Sequence, residues 1–174
     1  MKRRALLVAA ASVVPSVALA QRTFRGLEVP AENDWEGEHR ARPPVGDAAE
    51  RAARLFEAIQ RDDPEHARDF FFPLEPFRVL KGIADPEGYW NVLWGHYERD
   101  IHALHATVPA EATFERFEMT RRGAWVDRRE EANAIPYWAS RHDWVHYRVG
   151  ESARRFEVRT LINWGPRWYV THLG

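Results

Sequence analysis

Residues 96–105 read His-Tyr-Glu-Arg-Asp-Ile-His-Ala-Leu-His and hold three of the eight histidines in the 174-residue chain. On a helix, Glu98, His102 and His105 stand at i, i+4 and i+7 and project from neighbouring points of one face. A carboxylate and two imidazoles so spaced can ligate zinc or a similar divalent ion, or act as a base with its orienting group. The plainer reading is that His102 and His105 sit in the last turns of a helix, where the helix dipole favours cations, and that Glu98 pairs with His102. No His-Glu-x-x-His pattern and no fourth ligand at a recognisable spacing accompanies them, so no metal is expected and no cofactor is called for. His96, Asp100, His102 and, on a later strand, His146 are the candidates for a general base. His172 also lies on a strand and can face a pocket or solvent, and Asp143 is a second carboxylate whose burial would raise its pKa.

Aromatic side chains are the other conspicuous set. Seven of the eight tryptophans fall within residues 47–174. A pocket lined by flat faces explains such a set, as does an aromatic interface or plain core packing. Tyr89, Trp90, Trp94, Tyr97, Trp144 and Trp168 are the residues expected at a ligand pocket. Tyr137, Tyr147 and Tyr169 are further candidate hydroxyls, since a buried phenol needs a polar partner. Neither Gly-x-Ser-x-Gly nor a Gly-rich phosphate loop is present, so the hydrolase elbow and nucleotide binding lack local support.

Three helices must position these groups. Asp47-Ala-Ala-Glu50 has the form of an acidic capping box, and Ala52, Leu55, Phe56 and Ile59 then repeat at helical spacing. Asp62-Asp63-Pro64 stops that helix and starts a short second one, which Pro73 and Pro76 are expected to end. Phe77 to Leu80 reads as a short strand or an extended link. Asp85-Pro86-Glu87 repeats the start signal for a long third helix to about Ala106, with Trp90, Leu93, Trp94, Tyr97, Ile101 and Leu104 on one face.

After Pro109 the period changes to strands. Residues 112–121 alternate, Gly123 turns the chain, and residues 134–139 with Pro136 suit an edge or a bulge. Residues 144–149 form a clear strand. The chain closes in a hairpin over residues 156–174, turning at Trp164-Gly165-Pro166-Arg167, which sets Asn163 opposite Trp168 and Leu161 opposite Val170. Apolar residues fall on both faces of this hairpin, so both should be covered: one by helices, the other by a second subunit or by the N-terminal arm. The fold class is therefore α+β, with three N-terminal helices packed on a curved antiparallel sheet of four to six strands.

Leu55-Phe-Glu-Ala-Ile-Gln-Arg-Asp-Asp63 near the start and Arg167-Trp-Tyr-Val-Thr-His-Leu173 at the end resemble the nuclear-transport-factor-2-like (SnoaL-like, cystatin-like) superfamily over residues 47–174. The resemblance implies a cone, with a curved sheet wrapped over the helices, a pocket at the open end and a common mode of dimerisation through the sheet. That superfamily includes isomerases, dehydratases and cyclases as well as pocket-bearing and scaffold proteins. None of its catalytic positions is carried over to this chain.

The first twenty residues combine Lys2, Arg3 and Arg4 with an apolar run ending Ala18-Leu19-Ala20, the form of a cleavable export signal. The run is too short to span a bilayer and is interrupted by Pro15. A periplasmic or secreted protein, soluble after signal cleavage, is expected. Residues 21–46 read as an extended arm or linker, with Trp35 anchoring it on a partner or on its own domain, and residues 47–174 as one domain. The formal charge of −1 argues against nucleic acid, and the absence of cysteine removes disulfides, thiol nucleophiles and thiolate metal sites.

Three functions fit. The first is an exported non-catalytic domain that binds a small apolar or aromatic ligand or a protein partner. The second is a pocket enzyme of isomerase, dehydratase or cyclase type with His or Asp as general base. The third is a structural subunit that assembles, as a homodimer for example, through its sheet. Two ionisable groups within hydrogen-bond reach inside a pocket would favour the enzyme, an aromatic pocket ligand binding, and a filled interior the structural role.

Overall fold

In the computed structural model, residues 22–36, 41–121 and 123–174 are described; the expected export signal at residues 1–20 lies outside them. The arm begins as a small hairpin of β1 (Thr23–Phe24) and β2 (Leu27–Glu28). Arg25 and Gly26 both have positive φ, the mirror-image turn whose twist suits a two-residue loop. A single 3-10 turn, Ala31–Asn33, follows. Val29 packs with Val79 and Ile135, and Trp35 lies edge-on to Phe24 with the guanidinium groups of Arg22 and Arg128 against its ring. Trp35 therefore rests on its own domain.

The apolar stripe after Asp47 forms the buried side of α1 (Ala48–Arg61), along Ala48, Ala52, Leu55, Phe56 and Ile59. Asp47 stands at the N-cap, but its side chain makes no capping bond. Its Oδ1 accepts from Arg51 at 2.7 Å and its Oδ2 from Arg167 at 2.5 Å. Two guanidinium groups offer charge-assisted bonds stronger than one amide, and they displace the expected capping box. Arg51 is itself fully buried, with the rings of Phe70 and Tyr169 at 5.0 and 4.9 Å.

Asp62 ends α1 in the left-handed conformation, and Pro64 opens a 3-10 segment, Pro64–Phe70. The stretch expected as a strand or link is instead α2 (Leu74–Leu80). Pro76 lies in its first turn, where a missing N–H costs nothing, so it starts a helix rather than ending one. Then α3 (Pro86–His105) runs as its periodicity predicts, capped by Asp85 and buried along Trp90, Leu93, Tyr97 and Ile101. Between Ala48 and His105 there are thus four helical segments where three were expected. The ring of Phe71 joins them, with Trp90, Trp94 and Tyr97 between 5.1 and 5.4 Å away.

The main sheet has five antiparallel strands: β3 (Thr113–Glu118), β4 (Gly123–Val126), β5 (Tyr137–Val149), β6 (Ser152–Trp164) and β7 (Arg167–His172). The order is β3-β5-β6-β7, and β4 continues the line of β3 along β5: β4 pairs with Tyr137 to Ser140, β3 with Trp144 to Arg148. The segment read as an edge or bulge is thus the start of a central strand. Pro136 sits just before it and needs no ladder N–H. His142, at positive φ, stands at the junction, where the Thr120 amide and hydroxyl bond Asp143 Oδ1 (2.7 Å) and the Arg141 carbonyl (2.8 Å).

The closing hairpin has the expected register, Asn163 opposite Trp168 and Leu161 opposite Val170. Leu161, Trp168 and Val170 are all fully buried within the single chain. The arm supplies much of the cover: Trp168 Nε1 donates to the Pro44 carbonyl at 2.9 Å, and Arg42 lies over the Trp168 ring. Arg42 also donates to Ser140 Oγ and the Thr120 carbonyl. Among the described residues, no helix is long and apolar enough to cross a membrane.

Candidate functional site

A cavity of about 250 Å³ lies between the sheet and the first turns of α3. Strand alternation puts Tyr137, Ala139 and Arg141 of β5 on its wall, with Thr160 and Ile162 of β6 beside them. Thr171 and His172, consecutive on β7, both reach it because the β6–β7 register shifts between Thr160 and Leu161. Phe77 of α2 and Tyr89 and Leu93 of α3 complete an apolar wall.

The polar end is built around Lys81, the C-cap of α2, and a 3-10 loop, Glu130–Ala132. Lys81 is only 8% exposed, and its ammonium donates to Asn133 Oδ1 at 2.7 Å and to the Glu131 carbonyl at 3.2 Å. Both acceptors are neutral. Burial pushes the Lys81 pKa down, against the opposing pull of the Glu131 charge. The Glu131 carboxylate accepts from the Tyr137 hydroxyl at 2.7 Å and from Arg141 at 2.9 Å. Its burial acts upward on the pKa, but those bonds and the nearby cations outweigh it and hold Glu131 below the usual range. Tyr137 is pushed up, by burial first and then by its bond to Glu131. His172 is pushed down, first by burial and then by Arg159, His96 and Arg141, with Asp100 opposing.

The loop that carries Glu131 has a strained backbone. Arg129, Glu131 and Ala132 all have positive φ, and none is glycine. Each such residue costs on the order of 1–3 kcal/mol and persists only where its surroundings hold it. They do: Gly82 N–H donates to the Ala132 carbonyl at 2.7 Å, and Ala134 N–H to the Leu80 carbonyl at 2.8 Å.

The residues singled out by sequence are dispersed. Tyr89 lines the cavity, whereas Trp90 lines a wider groove beside Arg68 and Arg167. Trp94 stacks on Trp90 with Arg68 over its ring, Tyr97 is buried with its hydroxyl on the Ala67 carbonyl, and Trp168 lies in the core. Trp144 lies under Arg155 on the sheet. His102 donates to Asp62 Oδ1 at 2.5 Å and His105 to the Ile59 carbonyl at 2.9 Å, so both fasten α3 to the end of α1. Glu98 is half-buried on the same helix, away from the cavity wall. His146 pairs with Glu118 at 2.9 Å. His96 is exposed, close enough to His172 to act on its charge, and Asp100 accepts from the Gly174 amide in a separate shallow depression. Among the described residues, no group of three or more His, Asp or Glu could hold a metal ion.

No motif or spacing in the sequence marks Lys81, Glu131 or Arg141. One signal for Lys81 is nonetheless in the sequence: of the 25 lysine and arginine residues, all but Lys2 and Lys81 are arginine. Comparison of the chain with protein-family models, with curated proteins and with solved structures finds no match.

Proposed function

We propose that the chain is a pocket domain that binds a small, largely apolar ligand without transforming it. The observation that carries this reading is the cavity itself, with apolar side chains from α2, α3, β5 and β6 on its wall and charged groups gathered at one end. Glu131 and Tyr137 are two ionisable groups within hydrogen-bond reach, the arrangement that favours an enzyme. Their pKa values, however, are displaced away from neutrality in opposite directions. Acid–base catalysis works best with groups that titrate near the working pH. This pair instead resembles a fixed polar clamp.

The enzyme remains the second reading because of one residue. His172 lines the cavity and its lowered pKa favours the neutral imidazole, the form a general base needs. The assembly reading has less behind it, since Leu161, Trp168 and Val170 are already covered within one chain. The element order and the cavity between helices and sheet fit the cone of the nuclear-transport-factor-2-like superfamily, and the form of residues 1–20 supports a place of action outside the cytoplasm.

The test is a titration with small one-ring compounds followed by amide NMR. Shifts should concentrate at Leu93, Ala139 and Ile162, and Ala139→Phe, which fills the cavity, should abolish them. Shifts scattered elsewhere, or unaffected by that substitution, would overturn the binding reading. Turnover of an unsaturated ketone that is lost in His172→Gln would establish the enzyme instead.

A further inference from the structure

We infer that the ligand of this cavity is a small monocarboxylate, with its apolar body on the Phe77–Leu93–Ile162 wall and its carboxylate on Lys81. The inference rests on the ligand-binding reading and adds the charge and size of what is bound.

Three observations lead to it. First, two cations, Lys81 and Arg141, line the cavity against one carboxylate, Glu131. Glu131 spends one oxygen on Arg141 and the other on Tyr137, and neither meets the Lys81 ammonium within hydrogen-bond distance. Second, Lys81 is almost fully buried, and its two bonded acceptors are a neutral amide oxygen and a backbone carbonyl. An ammonium has three donors, and beyond those two oxygens Lys81 meets, among the described residues, the face of the Tyr137 ring 5.5 Å from its nitrogen. One donor thus has no oxygen partner and can serve an acceptor in the cavity, where a buried charge favours an ionic partner. Third, the chain uses arginine at nearly every cationic position but lysine here. A compact ammonium can sit at the base of a narrow cavity where a five-donor guanidinium would not fit or be satisfied.

The same groups limit the ligand. His172 favours its neutral form and adds no positive charge, so the excess at the site is a single unit. A monoanion matches it, whereas a phosphate dianion would leave negative charge beside Glu131. A volume of about 250 Å³ falls below the roughly 300–1,000 Å³ of sites for drug-sized ligands. One ring with a short chain fits.

Isothermal titration of the full chain with 3-phenylpropanoate, 3-phenylpropanol and 3-phenylpropylamine tests this. The acid should bind at least about tenfold more tightly than the alcohol, as expected for a hydrogen bond to a charged group, and the amine most weakly. Lys81→Met should erase the acid's advantage over the alcohol, and the binding that both compounds keep reports an intact pocket. Glu131→Gln leaves Lys81 in place and should raise the preference for the acid further, which keeps the test decisive if the lysine variant does not fold. Equal binding of acid and alcohol, or an acid preference that neither variant alters, overturns the carboxylate assignment and leaves the pocket reading standing. Failure of all three compounds to bind, with Ala139→Phe behaving like the parent chain, overturns the pocket reading itself.

Discussion

Asn33 and Asn163, 130 positions apart, are both fully buried and hold each other in place. Asn33 Nδ2 donates to the Asn163 carbonyl at 3.3 Å and to the Pro136 carbonyl at 3.0 Å, while its Oδ1 accepts from the Gly165 amide at 2.8 Å. Asn163 Oδ1 accepts from the Trp138 amide and its Nδ2 donates to the Gly165 carbonyl. One side chain of the arm thus completes the polar lining of the β6–β7 turn and of the start of β5.

Asn33→Ala leaves the Gly165 amide and the Pro136 carbonyl buried without their partner. Each buried unsatisfied group costs about 1–3 kcal/mol, so a loss of about 2–4 kcal/mol is expected in urea unfolding, with an unchanged m-value. A loss below about 1 kcal/mol would mean that water reaches this turn.

The Asp47 pair with Arg51 and Arg167 makes the protein sensitive to acid. Burial acts to raise the Asp47 pKa, but the hydrogen bonds from Arg167 and Arg51 outweigh it and hold it low. A carboxylate with a lowered folded pKa contributes stability that is complete above the unfolded value, about 3.9, and is lost as the pH falls through the folded one. Asp47→Asn should destabilise at pH 7 by about 2 kcal/mol, less than the 3–5 for a wholly buried pair because Asp47 itself is partly solvated. The difference from the parent chain should shrink below about pH 4 in parallel thermal melts. A constant difference down to pH 2 would rule the pair out as its cause.

Asp143 runs the other way. It is fully buried, its Oδ2 has no hydrogen-bond partner among the described residues, and burial raises its pKa above the usual carboxylate value despite bonds from Thr120 and Ser140. A raised folded pKa means stability that is present at low pH and lost as the pH rises through that folded value. Asp143→Asn keeps the Oδ1 acceptor and cannot ionise. Its melting temperature should gain on the parent by about 2–4 °C between pH 4 and pH 8. A gap that closes over this range would show that the carboxylate is stabilised where it lies.

Zinc should leave the melting temperature of the parent chain unchanged, because the rings of His102 and His105 are turned toward α1 by their bonds to Asp62 and Ile59. A rise that disappears in His105→Ala would show that the rings swing round to share an ion.

Periodicity made α1, α3 and the register of the closing hairpin readable, because each has one strongly apolar side and a clear terminator. The prolines were harder. Pro76 and Pro136 look like breakers in sequence, yet each sits where its missing N–H is harmless, and only the neighbouring elements decide that. The histidine cluster is conspicuous in its spacing, but Asp62 and the Ile59 carbonyl, which engage it, come from the end of another helix. Lys81, Glu131 and Arg141 meet across 60 residues of chain and share no local pattern. What brings them together is the bond between the α2 C-terminus and the loop before β5.

The strap over Trp168 also bears on the order in which the molecule can be completed. Pro44 leaves the ribosome 124 residues before the indole to which it bonds. At about 5–20 residues per second that is an interval of roughly 6–25 s without a surface to lie on. Residues 41–46, Ala-Arg-Pro-Pro-Val-Gly, suit the wait: two adjacent prolines deny a neighbouring strand its amides, and among the six only Val45 offers a large apolar side chain to stray contact.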